Sequence, residues 1–557
     1  MTEPFPWNVY PRPQLKRDSF LLLNGEWEFA LQSEGASLPD SYSDRIIVPF
    51  CPESKLSGLH MPILPRQQMV YHRVFYVDPA FLRDITLLHF GAVDQCCRVL
   101  LNGTEIGGHE GGYLPFTMDV SQVIREGEND ITVIALDPLD HDLPWGKQKY
   151  QRGGMWYTPV SGIWQTVWLE SLPDDGIRDL RITPDLSSIV LDVTSSANLI
   201  RIQIPEIGYD LSHKPGRISI EIPHPHLWSP EDPHLYDLFL STETDTVQSY
   251  FALRRIDTAI DKDGHSRIRL NGKPIFLHGV LDQGYYHDGI YTPDAPEQYE
   301  RDIVMLKEMG FNLIRKHIKV EPLWFYHLCD RIGMLVMQDF VNTGEYSFLR
   351  DTALPTVGVT RLPDCMLHRT KRAKAFFLQN AEGTQHLLYN SPSVIAYTVF
   401  NEGWGQFSAD AVYSLLKNND PSRLYDATSG WFAQKKSDLD SRHVYFRKLR
   451  LKAGKRPLFL SEFGGYAWCD KSHAFSEKSY GYRTLSSAEE LEESILRLYR
   501  EQVIPLIERG LCGSVYTQLS DVEDEINGLV TYDRLLEKVE REAMKQLSEE
   551  IYDKIKS

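Results

Sequence analysis

The run Val394-Ile-Ala-Tyr-Thr-Val-Phe-Asn401-Glu402 constrains this chain more than any other stretch. Its apolar and β-prone residues follow one another without alternation. That is how a strand covered on both faces reads, as in a parallel sheet sheathed by helices. The run ends in Asn401-Glu402 and is then broken by Gly403 and Gly405. A carboxylate at the carboxyl end of such a strand faces the mouth of an α/β barrel, where that fold keeps its chemistry. The plainer alternative is that Glu402 caps the next helix. Ser408 is better placed for that, just before the amphipathic run through Ala411, Val412, Tyr413, Leu415 and Leu416.

A second stretch has the same form. Pro457-Leu-Phe-Leu-Ser-Glu462-Phe-Gly464-Gly465 is an apolar run, then a glutamate, then glycines. Two strand-end glutamates on separate strands are what glycoside hydrolysis requires. One stays protonated and donates to the leaving oxygen. The other is ionised, to attack the anomeric carbon or to activate water. Their surroundings set that division by pushing the two pKa values apart.

At 557 residues the chain is too long for one core, and two to four domains are expected. A net charge of -18 argues against nucleic acid or an anionic membrane surface as partner. No stretch is long and apolar enough to span a bilayer, and the N-terminus has no basic, then apolar, leader pattern. The seven cysteines are scattered, with no Cys-x-x-Cys, so neither a disulfide framework nor a zinc site is indicated. These features point to a cytoplasmic protein. The sequence leaves a homo-oligomer open.

Residues 1–173 read as short alternating strands, with Asn102-Gly103 as a hairpin turn, so a β-sandwich is expected. Residues 174–258 read as a smaller immunoglobulin-like sandwich. From 259 to 557 strands alternate with amphipathic helices. Eight β-then-α repeats make a TIM barrel, closed by a helix with Leu535, Leu536, Val539, Ala543, Leu547 and Ile551 on its apolar face. The segment 342–372 has no clean period, and a loop that long suggests a lid narrowing the pocket toward single terminal sugars.

The strings Leu23-Asn-Gly-Glu-Trp27 and Ser161-Gly-Ile-Trp-Gln-Thr-Val167 resemble the jelly-roll sugar-binding domain of glycoside hydrolase family two. The resemblance covers essentially the whole chain and implies a retaining exo-glycosidase acting through a covalent glycosyl-enzyme. It implies Glu402 as general acid/base and Glu462 as nucleophile, with Asn401, Arg315, His317, Asp339 and Tyr445 around them. Asp282 is expected to meet a sugar hydroxyl. Trp404 and Trp468 are stacking candidates, with core packing as the alternative for each. Trp156 and Tyr157 are read as core, with a loop position near the mouth as the alternative. The family's strand-one Asn-x-His-Glu is absent, so no required metal or other cofactor is expected. An Asn-x-Lys that would grip a uronate is replaced by Glu525-Ile526-Asn527. A neutral β-linked sugar such as a β-galactoside is therefore the leading carbohydrate substrate. β-Mannoside, α-L-arabinofuranoside and β-glucuronide stay as rivals, and a non-catalytic carbohydrate-binding relative as the alternative class. The string Asp521-x-Glu523-Asp524-Glu525 lacks the glycine of a calcium loop and reads as a hydroxyl-binding or solvated loop.

Overall fold

The computed structural model describes residues 7–368 and 370–556. Three bodies follow one another along the chain. The first is a two-sheet jelly roll. Its six-stranded sheet centres on Gly25–Ser33, Gln67–Val77 and Gly127–Leu136, and its four-stranded sheet on Ile85–Phe90 and Val167–Leu172. Period-two alternation sends Trp27, Phe29, Tyr71 and Val133 into one core. Asn102 and Gly103 both take positive φ, 50° and 73°, as a tight hairpin turn demands.

The second body packs a three-stranded sheet (Asp179–Pro184, Ser188–Thr194, Gly216–Glu221) against a four-stranded one containing Ile200–Ile204 and Tyr236–Ser241. Its core is almost wholly Ile, Leu and Val, and this is the immunoglobulin-like sandwich expected from the strand spacing.

The third body is the barrel. Its strands are β1 (Leu277–Asp282), β2 (Leu313–Lys316), β3 (Leu335–Asp339), β4 (Val394–Thr398), β5 (Leu424–Asp426), β6 (Asp440–Val444), β7 (Leu458–Gly464) and β8 (Leu511–Thr517). All pair in parallel in the order 5-4-3-2-1-8-7-6. β5 and β6 share no ladder. Their seam is held by Ser441 Oγ on the Asp426 carboxylate and by Asp438 N–H on Tyr425 O at 2.9 Å. Around the sheet lie α1 (Glu297–Glu308), α2 (Leu323–Ile332), α3 (Lys371–Leu388), α4 (Ala409–Asn419), α5 (Ala488–Leu498) and α6 (Arg541–Lys556). The hairpin Ile256–Ile260/Ser266–Leu270 plugs the bottom, packing Ile268 and Leu270 against Leu277, Leu313 and Val515.

Four expectations need correction. Among the described residues no helix follows β5 or β6, because their glycine- and lysine-rich connections carry no helical apolar period. The last helix starts at Arg541, and Leu535 is 76% exposed: the Asp533 carboxylate accepts the Leu535 N–H at 3.1 Å, and that local turn overrides the helical pattern. Ser408 is not a side-chain cap, since it sits at φ 41° with no such bond. The Asp364 carboxylate instead accepts the Ala409 N–H at 2.6 Å, from a loop 45 residues away. The segment 342–372 is not featureless: Phe348–Ala353 and Asp364–Met366 form short helical turns (369 lies outside the described residues).

The jelly roll reaches the barrel mouth through a ladder of indoles. Trp145 stacks on Trp156 at 5.4 Å, and Trp156 on Trp404 at 5.1 Å, with interplanar angles of 12° and 19°. Trp145 Nε1 donates to Gly344 O at 3.1 Å, fastening the ladder to the segment after β3.

Candidate active site

Barrel strands alternate, so neighbouring residues serve opposite sides. On β2, Leu313 and Arg315 point inward while Ile314 and Lys316 point toward the helices. Arg315 is fully buried, and all five of its N–H groups are used. Nε and Nη2 clasp the two Asp339 oxygens at 2.9 and 3.0 Å. Nη2 also reaches Asn401 Oδ1 at 2.8 Å, and Nη1 reaches Glu462 Oε1 at 3.1 Å and Ser461 O at 3.0 Å. A guanidinium so saturated is a rigid fork that fixes residues from β3, β4 and β7 relative to one another. His317 Nδ1 lies 2.7 Å from the second Asp339 oxygen.

Glu462 ends up at the bottom of the mouth. Its other oxygen accepts the Tyr445 hydroxyl, which also lies 3.1 Å from Thr517 Oγ1. The Tyr445 ring is clamped on Tyr482 at 3.9 Å, which holds the hydroxyl on the carboxylate. Burial alone would raise the Glu462 pKa. The nearness of His443, Arg315 and His317 overrides it and brings the group down to about 2.

Glu402 stands four residues past β4, and its carboxyl is exposed by only 13%. Its backbone is left-handed at φ 53°, a conformation that costs a non-glycine residue about 1 kcal/mol or more. Gly403 at φ 77° is required beside it, because a Cβ there would meet the Phe432 ring at 2.2 Å. Trp431 Nε1 donates to Glu402 O at 2.9 Å and pins the strained turn. Burial, then the nearness of Glu462, raises the Glu402 pKa above the ordinary carboxylate range, although His443 works against both. The two glutamates are thus driven in opposite directions.

His443 was not singled out from the sequence. It closes β6 between the two acids, with Nδ1 2.8 Å from Glu402 Oε1 and 3.5 Å from Glu462 Oε2, and Nε2 3.0 Å from Ser429 Oγ. One oxygen of each glutamate and this ring nitrogen lie within 4.8 Å of one another. The three groups can geometrically hold a metal ion, but the glutamate oxygens already serve Arg315, Tyr445 and His443. A lone histidine in a short strand of mixed pattern gave no signal; only the pairing of β6 with β7 brings it here.

Asn401, Arg315, His317, Asp339, Tyr445, Glu402 and Glu462 thus form one connected site. Asp282, Trp404 and Trp468 do not join it. Asp282 ends β1 on the outward side, where it pairs with Lys316 and accepts the Gly284 N–H. Trp404 is 2% exposed and faces Trp156, so its ring is covered. Trp468 packs against the barrel's main core, and its carbonyl accepts from Lys538. Tyr157 is fully buried, and its hydroxyl donates to Glu525 at 2.5 Å, while Trp156 lines the cleft. The acidic string after β8 is neither solvated nor calcium-like. Asp521 pairs with Lys538, Glu523 accepts the Thr158 N–H, and Asp524 pairs with Arg152, so it seals the barrel against the jelly roll.

The mouth opens into a cleft of about 1920 Å³, wide despite the 342–372 segment along one side. The expected narrowing to a single-sugar pocket is not what that volume describes.

Comparison with known proteins agrees with this architecture. Residues 20–173 match the sugar-binding domain of glycosyl hydrolases family 2, residues 190–254 the family's middle region, and residues 262–451 its TIM barrel domain. The chain belongs to glycoside hydrolase family 2. It is 24% identical over 479 residues to a β-galactosidase of Yersinia enterocolitica, covering 75% of this chain and 43% of that one. It is 26% identical over 458 residues to a β-galactosidase of Leuconostoc mesenteroides, covering 72% and 41%. The chain therefore spans less than half the length of these curated relatives. Among solved structures, the Faecalibacterium prausnitzii β-glucuronidase superposes with a TM-score of 0.73 at 20% identity, covering 98% of this chain and 99% of that one. A β-galacturonidase from Eisenbergiella tayi gives 0.70 at 19%, covering 97% and 98%.

Proposed function

We propose that this protein is a retaining exo-glycosidase for terminal β-linked sugars. The observation that carries this reading is the approach of the Glu402 and Glu462 oxygens to within 4.8 Å of each other. Retaining pairs stand about 5–5.5 Å apart, whereas inverting pairs need about 6.5–9.5 Å to admit a water. Glu462, held ionised by Arg315 and Tyr445, attacks the anomeric carbon and forms a glycosyl ester. Glu402 gives its proton to the leaving oxygen. Now anionic, it takes a proton from water, and that water opens the ester with net retention. Asn401 and the Asp339–His317 pair sit where they can hold hydroxyls of the bound ring. His443 orients the Glu402 carboxyl above the nucleophile.

The proposed glycone is neutral, with a β-galactoside first. Two observations support it: the sequence relatives are β-galactosidases, and the stretch Glu525-Ile526-Asn527, which matches the place of the uronate-gripping Asn-x-Lys, carries an acid and no lysine. Of the domain limits proposed from the sequence, the one near 173 is supported by the gap between the strands Val167–Leu172 and Asp179–Pro184, whereas the one near 258 falls inside the strand Ile256–Ile260. A cytoplasmic location is supported by seven unpaired cysteines, and among the described residues no helix is long and apolar enough to cross a membrane. The test is hydrolysis of nitrophenyl β-galactoside, β-glucoside, β-mannoside, β-glucuronide and α-L-arabinofuranoside, with the anomer of the first product read by NMR. Cleavage of β-galactoside with retention is expected. An inverted product would sink the mechanism, and cleavage of β-glucuronide alone would sink the neutral glycone.

A further inference from the structure

The outer cleft has an electrostatic character that the catalytic residues do not explain. The chain carries 77 acidic against 59 basic residues, yet residues 442–456, after β6 begins, include no acid. This connection is built rather than loose. Leu449, Leu451 and Ala453 pack against the barrel core, and the Leu449 N–H donates to Gln502 Oε1 at 2.9 Å. The alternating residues Lys448, Arg450 and Lys452 are consequently turned outward and exposed. Arg447 Nη2 donates to Thr356 O at 3.0 Å, tying the wall to the loop across the cleft.

Arg361, Lys435, Lys448, Arg450 and Lys455 all line the cleft, and among the described residues none has a carboxylate partner. The acids on the same lining are Glu402 and Asp440, and Asp440 is taken by Arg442 at 2.7 Å. At about 1920 Å³ the cleft exceeds the roughly 300–1,000 Å³ usual for small-ligand pockets, so it accommodates more than one ring. In the proposed reaction the leaving group departs on the Glu402 side. Glu402, His443 and Tyr445 share their lining with this wall. Clustered cations in a concave surface focus potential and favour anionic partners.

We propose that the cleft beyond the scissile bond is an aglycone site for anionic saccharides, chains whose following sugars carry carboxylate or sulfate. This rests on the retaining-glycosidase reading and supplies its leaving-group class. The glycone stays neutral, and the charge lies on the part that departs.

The test compares kcat/KM for disaccharides that share one cleavable glycone and differ in the second sugar: neutral, uronate or sulfated. The wild-type enzyme is expected to favour an anionic second sugar, by a ratio that falls with added NaCl. In the double variant K448E/R450E that ratio drops about tenfold. A ratio that is the same in variant and wild type, or insensitive to salt, overturns the proposal. The preference between uronate and sulfate identifies the anion. Calorimetry on E462Q with oligogalacturonate and with a sulfated tetrasaccharide separates the two readings. Salt-sensitive binding without turnover of any substrate by wild type would retain the wall and remove the glycosidase. Turnover of the neutral disaccharide with no anion binding would do the reverse.

Discussion

Arg315 and Lys316 are adjacent on β2, both fully buried, and each anchors a network of buried charges. The outward network is balanced. Lys316 and Lys319 meet Asp282 and Glu321, and Lys319 spends its remaining donors on the carbonyls of Gly284 and Tyr291. The inward network is not balanced. Arg315 faces Asp339 and Glu462, with Glu402 beyond, so negative charge is left over beside the cleft. A buried set that cancels locks an architecture; one that leaves a surplus next to an opening is poised to meet positive charge that appears only during a reaction. The oxocarbenium-like transition state of glycoside hydrolysis is such a charge. Burial and ion pairing alone do not separate the two sites. Charge balance and access do.

Breaking the inward surplus gives the largest expected effect. Glu462→Ala should lower kcat by about 10⁴-fold or more with little change in melting temperature, since it removes the covalent step. Steady-state kinetics and a melt on one sample check both halves; substantial residual turnover would unseat Glu462. Glu402→Ala should cost about 10²–10⁴-fold on a poor leaving group and much less on a nitrophenolate, which departs without a proton. An equal loss on both would mean that Glu402 is not the acid. The outward network predicts the opposite pattern. Glu321→Gln leaves Lys316 and Lys319 undercompensated and should cost about 3–5 kcal/mol of stability in denaturant titrations. Turnover per folded molecule should stay within about twofold. A large kcat defect in folded Glu321→Gln would erase the distinction between the two networks.

The smallest effect sharpens the inward site alone. Glu462 is depressed to about 2 and Glu402 is raised. The proposed reaction needs the first ionised and the second protonated. The kcat/KM profile should therefore hold on the acid side until Glu462 protonates, and fall on the alkaline side as Glu402 ionises above the ordinary carboxylate range. In Glu462→Gln the neighbouring negative charge is gone, so the Glu402 titration, followed by NMR, should move down. An unmoved titration would show that the two acids are not coupled.

What the sequence made legible follows the same division. Glu402 and Glu462 were readable because an unbroken apolar run ending in acid and glycine is a local pattern. So was the alternation of strands that raises the barrel. His443 was not readable, since its meaning comes from the pairing of β6 with β7 and from Ser429 on another connection. Asp282 was misassigned because its place at a strand end looked like that of the other acids, while the side it faces depends on register. The strand–helix alternation predicts a helix after β5 and β6, but residues 427–439 and 445–457 carry no helical apolar period and form none. Ser408 failed as a cap because tertiary structure supplied Asp364 first.

The indole ladder has a consequence for modularity. Trp145 and Trp156 belong to the jelly roll, Trp404 follows the strained Glu402 turn by two residues, and their faces are shared across the boundary. The barrel mouth is in part upholstered by a different domain. An excised barrel would present a bare tryptophan face where its acid should be held still, and a jelly roll grafted from a relative would have to match that face plane for plane. On the proposed mechanism the unit that holds the acid spans both domains, and replacing either one without the ladder is expected to loosen the Glu402 turn.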